Sequence, residues 1–433
     1  MSNDSEAPET QLPPQQRTGL ISDIFAYLIY SLVYQINSVR LKAMEYGNAE
    51  RTRDLNWNSL RTKIGNPQRL SVICRSYLSV LLIIRLINFR SVRNMKIAVK
   101  HALAVMSQMH IVGLKNRVPS CFSKLQKYHA PVYSIAFHPS GKSIASGTFN
   151  GNTHMWGLNA DCSTGSYLSS QGEHRSSVLS VAFDRSGKYL VTGSYDKIAN
   201  LWKIGEDGSD PKFVYMMRGH TGPVSSVAFD HSGEYLLSTS DNLVKLWKIK
   251  NGSDSQCVCT KQEHDSFINS VEFHPIKTNF FSTGGNDGVA KLWQINKDWT
   301  DITCVCTLPG HDFGVKSVAF HPSGEILGTS SVDNTVKLWK ISRDCMDAKC
   351  VCTLQGHSGC VNFVTFDSSG KFLLTGGNDK VSKLWLLNPD CSAATCVCTL
   401  EGHTSFVKSA RFHPFGPYIA TCSTGENHVK LWR

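Results

Sequence analysis

In residues 315–320, Val318 and Phe320 alternate with the small or polar Ser317 and Ala319, the two-residue period of a strand buried on one side. His321-Pro322-Ser323-Gly324 follows. Pro322 presets φ and Gly324 tolerates a positive φ, so this stretch predicts a tight hairpin turn. Short apolar runs such as Tyr189–Thr192 and Val336–Trp339 predict further strands. No segment with a helical period occurs after residue 120.

The same order of turn and strand signals returns seven times, with a period of about 46 residues. His129, His174, His220, His264, His311, His357 and His403 open the copies, and Trp156, Trp202, Trp247, Trp293, Trp339, Trp385 and Trp432 close them. The copies run about 129–156, 174–202, 220–247, 264–293, 311–339, 357–385 and 403–432. A unit this short cannot bury its apolar face alone, so the copies must stack and share a core. Antiparallel strands in such an array fit a radial propeller of four-stranded blades.

The Gly-His openings, the Asp six residues before the closing Trp and the Leu-Trp endings resemble WD40 repeats over residues 118–433. The resemblance implies an all-β, seven-bladed propeller. It also implies that His, Ser or Thr, Asp and Trp of one blade form a hydrogen-bonded tetrad. His220, Asp241 and Trp247 match that motif, as do His311, Asp333 and Trp339; Asp196, Asp287 and Asp379 complete a set of five. Asn150 and Glu426 replace the Asp in the first and last copies, where weaker networks are expected. A His–carboxylate pair repeated in five blades reads as structural rather than catalytic. Trp432-Arg433 falls at the end of a third strand, and the resemblance implies that residues 120–127 supply the missing outer strand of that blade.

By the same resemblance, partners bind on the face that carries the loops into each blade's first strand. Two positions per blade point there. One set is Tyr133, Leu179, Ser225, Asn269, Lys316, Asn362 and Lys408; the other is Phe149, Tyr195, Ser240, Asn286, Val332, Asn378 and Gly425. No arginine cluster of the kind used to capture phosphopeptides occurs among them. Tyr133, Phe149, Leu179 and Tyr195 make one side aromatic and apolar, as interface anchors are. Lys316 and Lys408, two blades apart, suit an acidic group.

Fifteen cysteines raise the question of metal or disulfides. Eight lie in four Cys-Val-Cys-Thr runs beginning at Cys257, Cys304, Cys350 and Cys396. On a regular strand each pair presents both thiols to one face. Zinc needs four ligands converging at about 2.3 Å, which pairs held on separate blades do not provide. They read as small apolar residues, and no metal or cofactor is expected. Whether Cys345 meets Cys350, or Cys391 meets Cys396, stays open. The first 17 residues are polar and carry no secretory signal, so an intracellular, reducing location is expected, cytoplasmic or nuclear.

Charge divides the chain. The net charge is +11, yet residues 118–433 carry 29 Lys+Arg against 27 Asp+Glu, while residues 55–117 carry eleven basic residues and no acidic one. Residues 1–17 read as a disordered tail and 18–117 as a basic helical region, with candidate helices at 20–46, 70–92 and 96–114. Three roles remain open for that region: a helical domain packed on itself, a surface for anionic membranes, or a docking module. Phosphate contacts to nucleic acid through residues 55–117 are a further possibility. Arg85, inside the most apolar run, argues against a simple transmembrane helix. Within the docking reading, Leu20–Leu28 resembles the start of an F-box: Ile24, Phe25 and Leu28 match its core. The Leu-Pro is displaced to Leu12-Pro13, and the later tryptophan has no counterpart.

Linear catalytic signatures are missing: no G-x-S-x-G, no H-E-x-x-H and no phosphate loop occurs. His138, His274, His321 and His413 all precede Pro at the hairpin turn and belong to the repeat. The expected function is a non-enzymatic, monomeric scaffold that binds other proteins or peptides. The alternative is a ubiquitin-ligase substrate receptor docking through its F-box-like segment.

Overall fold

The computed structural model describes residues 120–205, 210–250 and 254–433. The expectations placed on 1–117, namely the tail, the helices, the F-box-like segment and the membrane or nucleic-acid surface, lie outside the described residues.

The described residues form 28 strands, β1 to β28 in chain order, arranged as seven antiparallel four-stranded sheets. Alternation on the first strand of each sheet explains its placement. In β18 (Val315–Phe320), Val315 and Val318 are buried, and the intervening Lys316 and Ser317 are only partly so. The corresponding first strands are β2 (Val132–Phe137), β6 (Val178–Phe183), β10 (Val224–Phe229), β14 (Ile268–Phe273), β22 (Val361–Phe366) and β26 (Val407–Phe412). Each packs against the next, and β26 packs against β2, so these seven strands ring a central axis. Blades 1 to 6 span 132–171, 178–217, 224–262, 268–308, 315–354 and 361–400, and blade 7 begins at Val407.

The core lies between blades rather than within them. Leu292 and Phe280 of blade 4 share one apolar cluster with Val318, Leu327 and Trp339 of blade 5; Ile326, Val336 and Leu338 of blade 5 share the next with Val364, Leu373 and Trp385 of blade 6. Every closing tryptophan is buried in such a seam. Aromatic burial of this kind dominates the stability of stacked repeats.

Three further devices join the blades. Nε2 of His138, His274, His321 and His413 donates to a glycine carbonyl in the hairpin turn of the next blade, each at 3.0 Å, and the last of these runs from blade 7 to Gly141 of blade 1. Gly324 shows why glycine stands there: its φ is +73°, and a Cβ would sit 2.3 Å from the His274 ring. Around the axis, Ser134, Ser180, Ser226 and Ser270 each accept the backbone N–H of the neighbouring first strand at 3.1–3.3 Å. Finally, β1 (Cys121–Leu125) pairs with β28 (Val429–Trp432), the third strand of blade 7, placing Lys124 opposite Lys430 and Leu125 opposite Val429. Leu125 is buried against Trp156 and Val429, so both ends of the ring share one seam and the β28 edge is covered.

The Cys-Val-Cys runs depart from the sequence expectation. Cys350 stands opposite Trp339 and Cys352 opposite Leu338, so the intervening Val351 is an extra, bulged residue. The bulge breaks the alternation. Cys350 therefore packs toward blade 4 and Cys352 toward blade 6, and Cys304 and Cys306 divide in the same way. The two thiols of a run face opposite seams, not one face. Cys345 and Cys350 belong to one apolar cluster, as free thiols.

Candidate partner-binding face

Blade 5 holds the expected network in full. His311 Nδ1 donates to Asp333 at 2.7 Å, and its Nε2 accepts from the Thr329 hydroxyl at 2.7 Å. That hydroxyl in turn accepts from Trp339 Nε1 at 2.9 Å. The tautomer follows from the partners, since the carboxylate can only accept. Asp333 also takes the N–H of Thr335 and of Asp312, which ties the second turn of the blade to the loop that enters it. Blades 2, 4 and 6 repeat this through His174–Asp196, His264–Asp287 and His357–Asp379 at 2.6–2.9 Å. All these imidazoles are buried and spent on structure.

Blades 3 and 7 correct the sequence expectation, and blade 1 shows the weaker network expected of it. In blade 3, His220 reaches Ser238 at 2.6 Å and Ser238 accepts from Trp247 at 2.7 Å, yet Asp241 does not meet His220. Among the described residues His220 Nδ1 is buried without a partner, and the Asp241 carboxylate accepts from Thr221 instead, at 2.9 Å. The cause is turn length. Nine residues separate the hydroxyl from the tryptophan here, against ten in blade 5. Ser240 pairs directly with Leu243, so Asp241 enters a two-residue turn at φ +50° and swings over Gly222. In blade 7 the spacing is eleven, and the longer Glu426 spans the extra length. It bonds His403, the Thr404 N–H at 2.9 Å and the buried Lys430 at 3.1 Å, so this network is larger than the others, not weaker. Burial opposes its charge, but these donors overcome burial and hold the carboxyl at about 2. In blade 1, His129 is exposed and Tyr128 takes the buried place, with its hydroxyl 2.8 Å from Ser146. Asn150 turns to Thr148 at 2.6 Å.

The upper face, where the loops enter the first strands, is built on a second regularity. Every first strand has a bulge directly after its opening residue, between Val132 and Ser134 in blade 1 and between Val407 and Ser409 in blade 7. The bulged residues are Tyr133, Leu179, Ser225, Asn269, Lys316, Asn362 and Lys408. A bulge re-aims the side chain it carries. Three of the seven are used as ties: Ser225, Asn269 and Asn362 donate to the first carbonyl of the next blade, at Ile268, Val315 and Val407. The remaining four, Tyr133, Leu179, Lys316 and Lys408, make no such tie.

Phe149 stands beside Tyr133 with an edge-to-face ring distance of 5.9 Å, and is 55% exposed. Its turn is fixed by bonds to Pro131 and Ser177, so the ring is presented on a rigid support. Tyr195, 59% exposed, follows in blade 2. The structure adds three residues that the sequence reading passed over: Phe267, Phe313 and Phe406, all exposed in loops entering blades 4, 5 and 7. Aligning the copies finds them, because the matching loop positions elsewhere hold Ser, Gly, Ala, Pro or Cys. Glu272 and Arg411 were also missed. They occupy the first-strand position that holds Ala136, Ala182, Ala228, Ala319 or Thr365 in the other blades. Glu272 accepts the Phe320 N–H at 3.1 Å, and burial pushes its carboxyl up to about 7 against the pull of Arg411.

The family model described as WD domain, G-beta repeat matches residues 120–157, 165–203, 211–248, 255–294, 302–340, 348–385 and 394–433. The chain belongs to the WD40 repeat family. A stretch of 58 residues is 38% identical to WD repeat-containing protein 44 of Xenopus laevis, covering 13% of this chain and 6% of that protein. WD40 propellers generally serve as scaffolds that bind other proteins rather than as catalysts. The buried His–carboxylate pairs fit that description, because each imidazole nitrogen faces a protein partner rather than a substrate.

Proposed function

We propose that this WD40 chain is a non-catalytic scaffold that holds a protein or peptide partner on the upper face of its propeller. The observation that carries this reading is the division among the bulged residues. Three tie a blade to the first strand of the next, while four do not, and among these Tyr133 stands beside the exposed Phe149 ring on a rigid turn. Tyr133, Phe149, Leu179 and Tyr195 then form the apolar half of the contact, where aromatic anchors supply most of the affinity. Exposed Phe267, Phe313 and Phe406 extend it around the rim.

The test is affinity capture with the full chain and with Tyr133→Ala combined with Phe149→Ala and Tyr195→Ala. Partners held by the wild type are expected to be lost, with the melting temperature unchanged because two of the three side chains are largely exposed. Retention of the same partners by the variant would contradict the reading.

A further inference from the structure

The scaffold reading leaves the chemistry of the bound partner open, and the mouth of the central channel narrows it. Lys316 and Lys408 are the only charged residues among the seven bulged positions. They lie on the first strands of blades 5 and 7, with blade 6 between them. The blade 6 residue at that level, Asn362, is held by Asn378 at 2.9 Å and by the Val407 carbonyl at 2.9 Å, so it is committed to the rim. Lys316 has a neutral acceptor, the Asn286 side chain, at 3.1 Å. Lys408 is exposed and has no hydrogen-bond or ion-pair partner among the described residues. Among the described residues neither ammonium meets a carboxylate, although the propeller carries nearly as many acidic as basic residues.

The surroundings sharpen the imbalance. The Lys408 side chain is exposed in part, yet the inner strands enclose its amine; that enclosure, with the like charge of Lys316, lowers its pKa below the ordinary lysine range. Arg411 continues the positive charge on the same strand, and its guanidinium donates to the carbonyl of Ala410 at 2.8 Å. Glu272, at the same level three blades on, is the counter-charge that Arg411 feels across the channel, and it also accepts the Phe320 N–H; among the described residues no bulged position at the level of the two lysines carries a carboxylate. The thiol of Cys360, in the loop entering blade 6, feels both lysines.

We propose that an acidic side chain of the partner enters the channel mouth, with its carboxylate held between the Lys316 and Lys408 ammonium groups. This rests on the upper-face scaffold reading and assigns its ligand: a peptide segment that is acidic at one position and apolar where it crosses Tyr133 and Phe149. Two mobile point charges suit a single carboxylate approached from above. Placed there, it relieves the repulsion between two lysines that have no counter-charge of their own. The chain's own residues 55–117 are the wrong occupant by sign, since they carry eleven basic residues and no acidic one.

The test is selection from a displayed random-peptide library on the full chain. Three further full-length proteins run beside it: Lys316→Glu with Lys408→Glu, the neutral Lys408→Gln, and Tyr133→Ala with Phe149→Ala. The expected result is wild-type selection of peptides with Asp or Glu at one position beside aliphatic or aromatic residues. The charge-reversed chain should select Lys or Arg there, and Lys408→Gln should bind a chosen wild-type peptide about tenfold more weakly. Selected peptides with no acidic preference, or affinities unchanged in Lys408→Gln, would overturn the proposal. If such peptides still lose binding to the Tyr133→Ala, Phe149→Ala chain, the scaffold reading stands without it. An empty selection on the wild type would overturn both.

Discussion

Blades 5 and 3 have the same tetrad letters and different chemistry. Both place Asp six residues before Trp, and both bury the imidazole and the indole on one hydroxyl. In blade 5 the carboxylate closes the network on His311; in blade 3 a turn one residue shorter carries Asp241 away and leaves His220 Nδ1 unpaired. A motif read as a list of residues thus hides a geometric condition. The distance from hydroxyl to tryptophan along the chain decides whether the acid arrives, and blade 7 shows the compensating case, in which one extra residue is matched by the longer Glu426.

The largest expected effect tests whether any tetrad matters as much as closing the ring. Deleting residues 118–128 removes β1 with Leu125 and Tyr128, and exposes both the β28 edge and the seam they fill beside Trp156. This is expected to lower the melting temperature more than any single tetrad substitution, as read by circular dichroism; an unchanged value would contradict the closure. Next comes the comparison itself. Asp333→Ala strands the His311 Nδ1–H and two backbone N–H groups in blade 5 and is expected to destabilise by about 2–4 kcal/mol. Asp241→Ala removes only a bond to Thr221 and should cost about 1 kcal/mol or less. Equal losses in urea unfolding would erase the distinction.

Repair is a smaller effect and a sharper one. Inserting one residue between Ser240 and Asp241 restores the blade 5 spacing and should let the carboxylate reach His220, with a gain of about 1 kcal/mol. Proton titration gives a second reading of the same change. Burial, with Lys245 nearby, holds His220 down at about 3, and the insertion should raise that value in an NMR titration. A last effect, spread over pH rather than set by one substitution, follows from linkage. His220 folds as the neutral ring, and an unfolded His titrates near 6.5. Its contribution to stability is therefore full above about pH 6.5 and is lost progressively as the pH falls toward 3, by at most about 1.4 kcal/mol per unit. His274, held by burial at about 4, adds in the same direction over a narrower window.

What the sequence made legible follows from what is local. The period, the strand alternation and the closing tryptophans each depend on residues within one copy, so the seven-bladed architecture could be read directly. The His-Pro turns were visible as repeats, but their bonds to the next blade were not, because nothing in one copy names a partner about 50 residues on. Bulges depend on pairing. The bulge at Val351 sends Cys350 and Cys352 to opposite seams, a result that strict alternation forbids. The same kind of irregularity aims Tyr133 and Lys408, yet there the family pattern had already marked the positions. Tyr128 was hidden because His129, beside it, satisfied the motif by letter. Phe267 and Phe406 were within reach, since a large apolar residue stands out in a loop column otherwise filled by Ser, Gly, Pro and Cys.

The most direct test of the central claim is cross-linking mass spectrometry on the captured full-length complex, using an amine-reactive reagent. The account predicts partner cross-links at Lys197, Lys316 and Lys380, which sit in the upper turns and the channel mouth, and few at Lys142, Lys188 and Lys371 in the lower hairpins. Partner cross-links concentrated on the lower set, next to the exposed Phe415 and Ile276, would place the binding surface on the opposite face and contradict it.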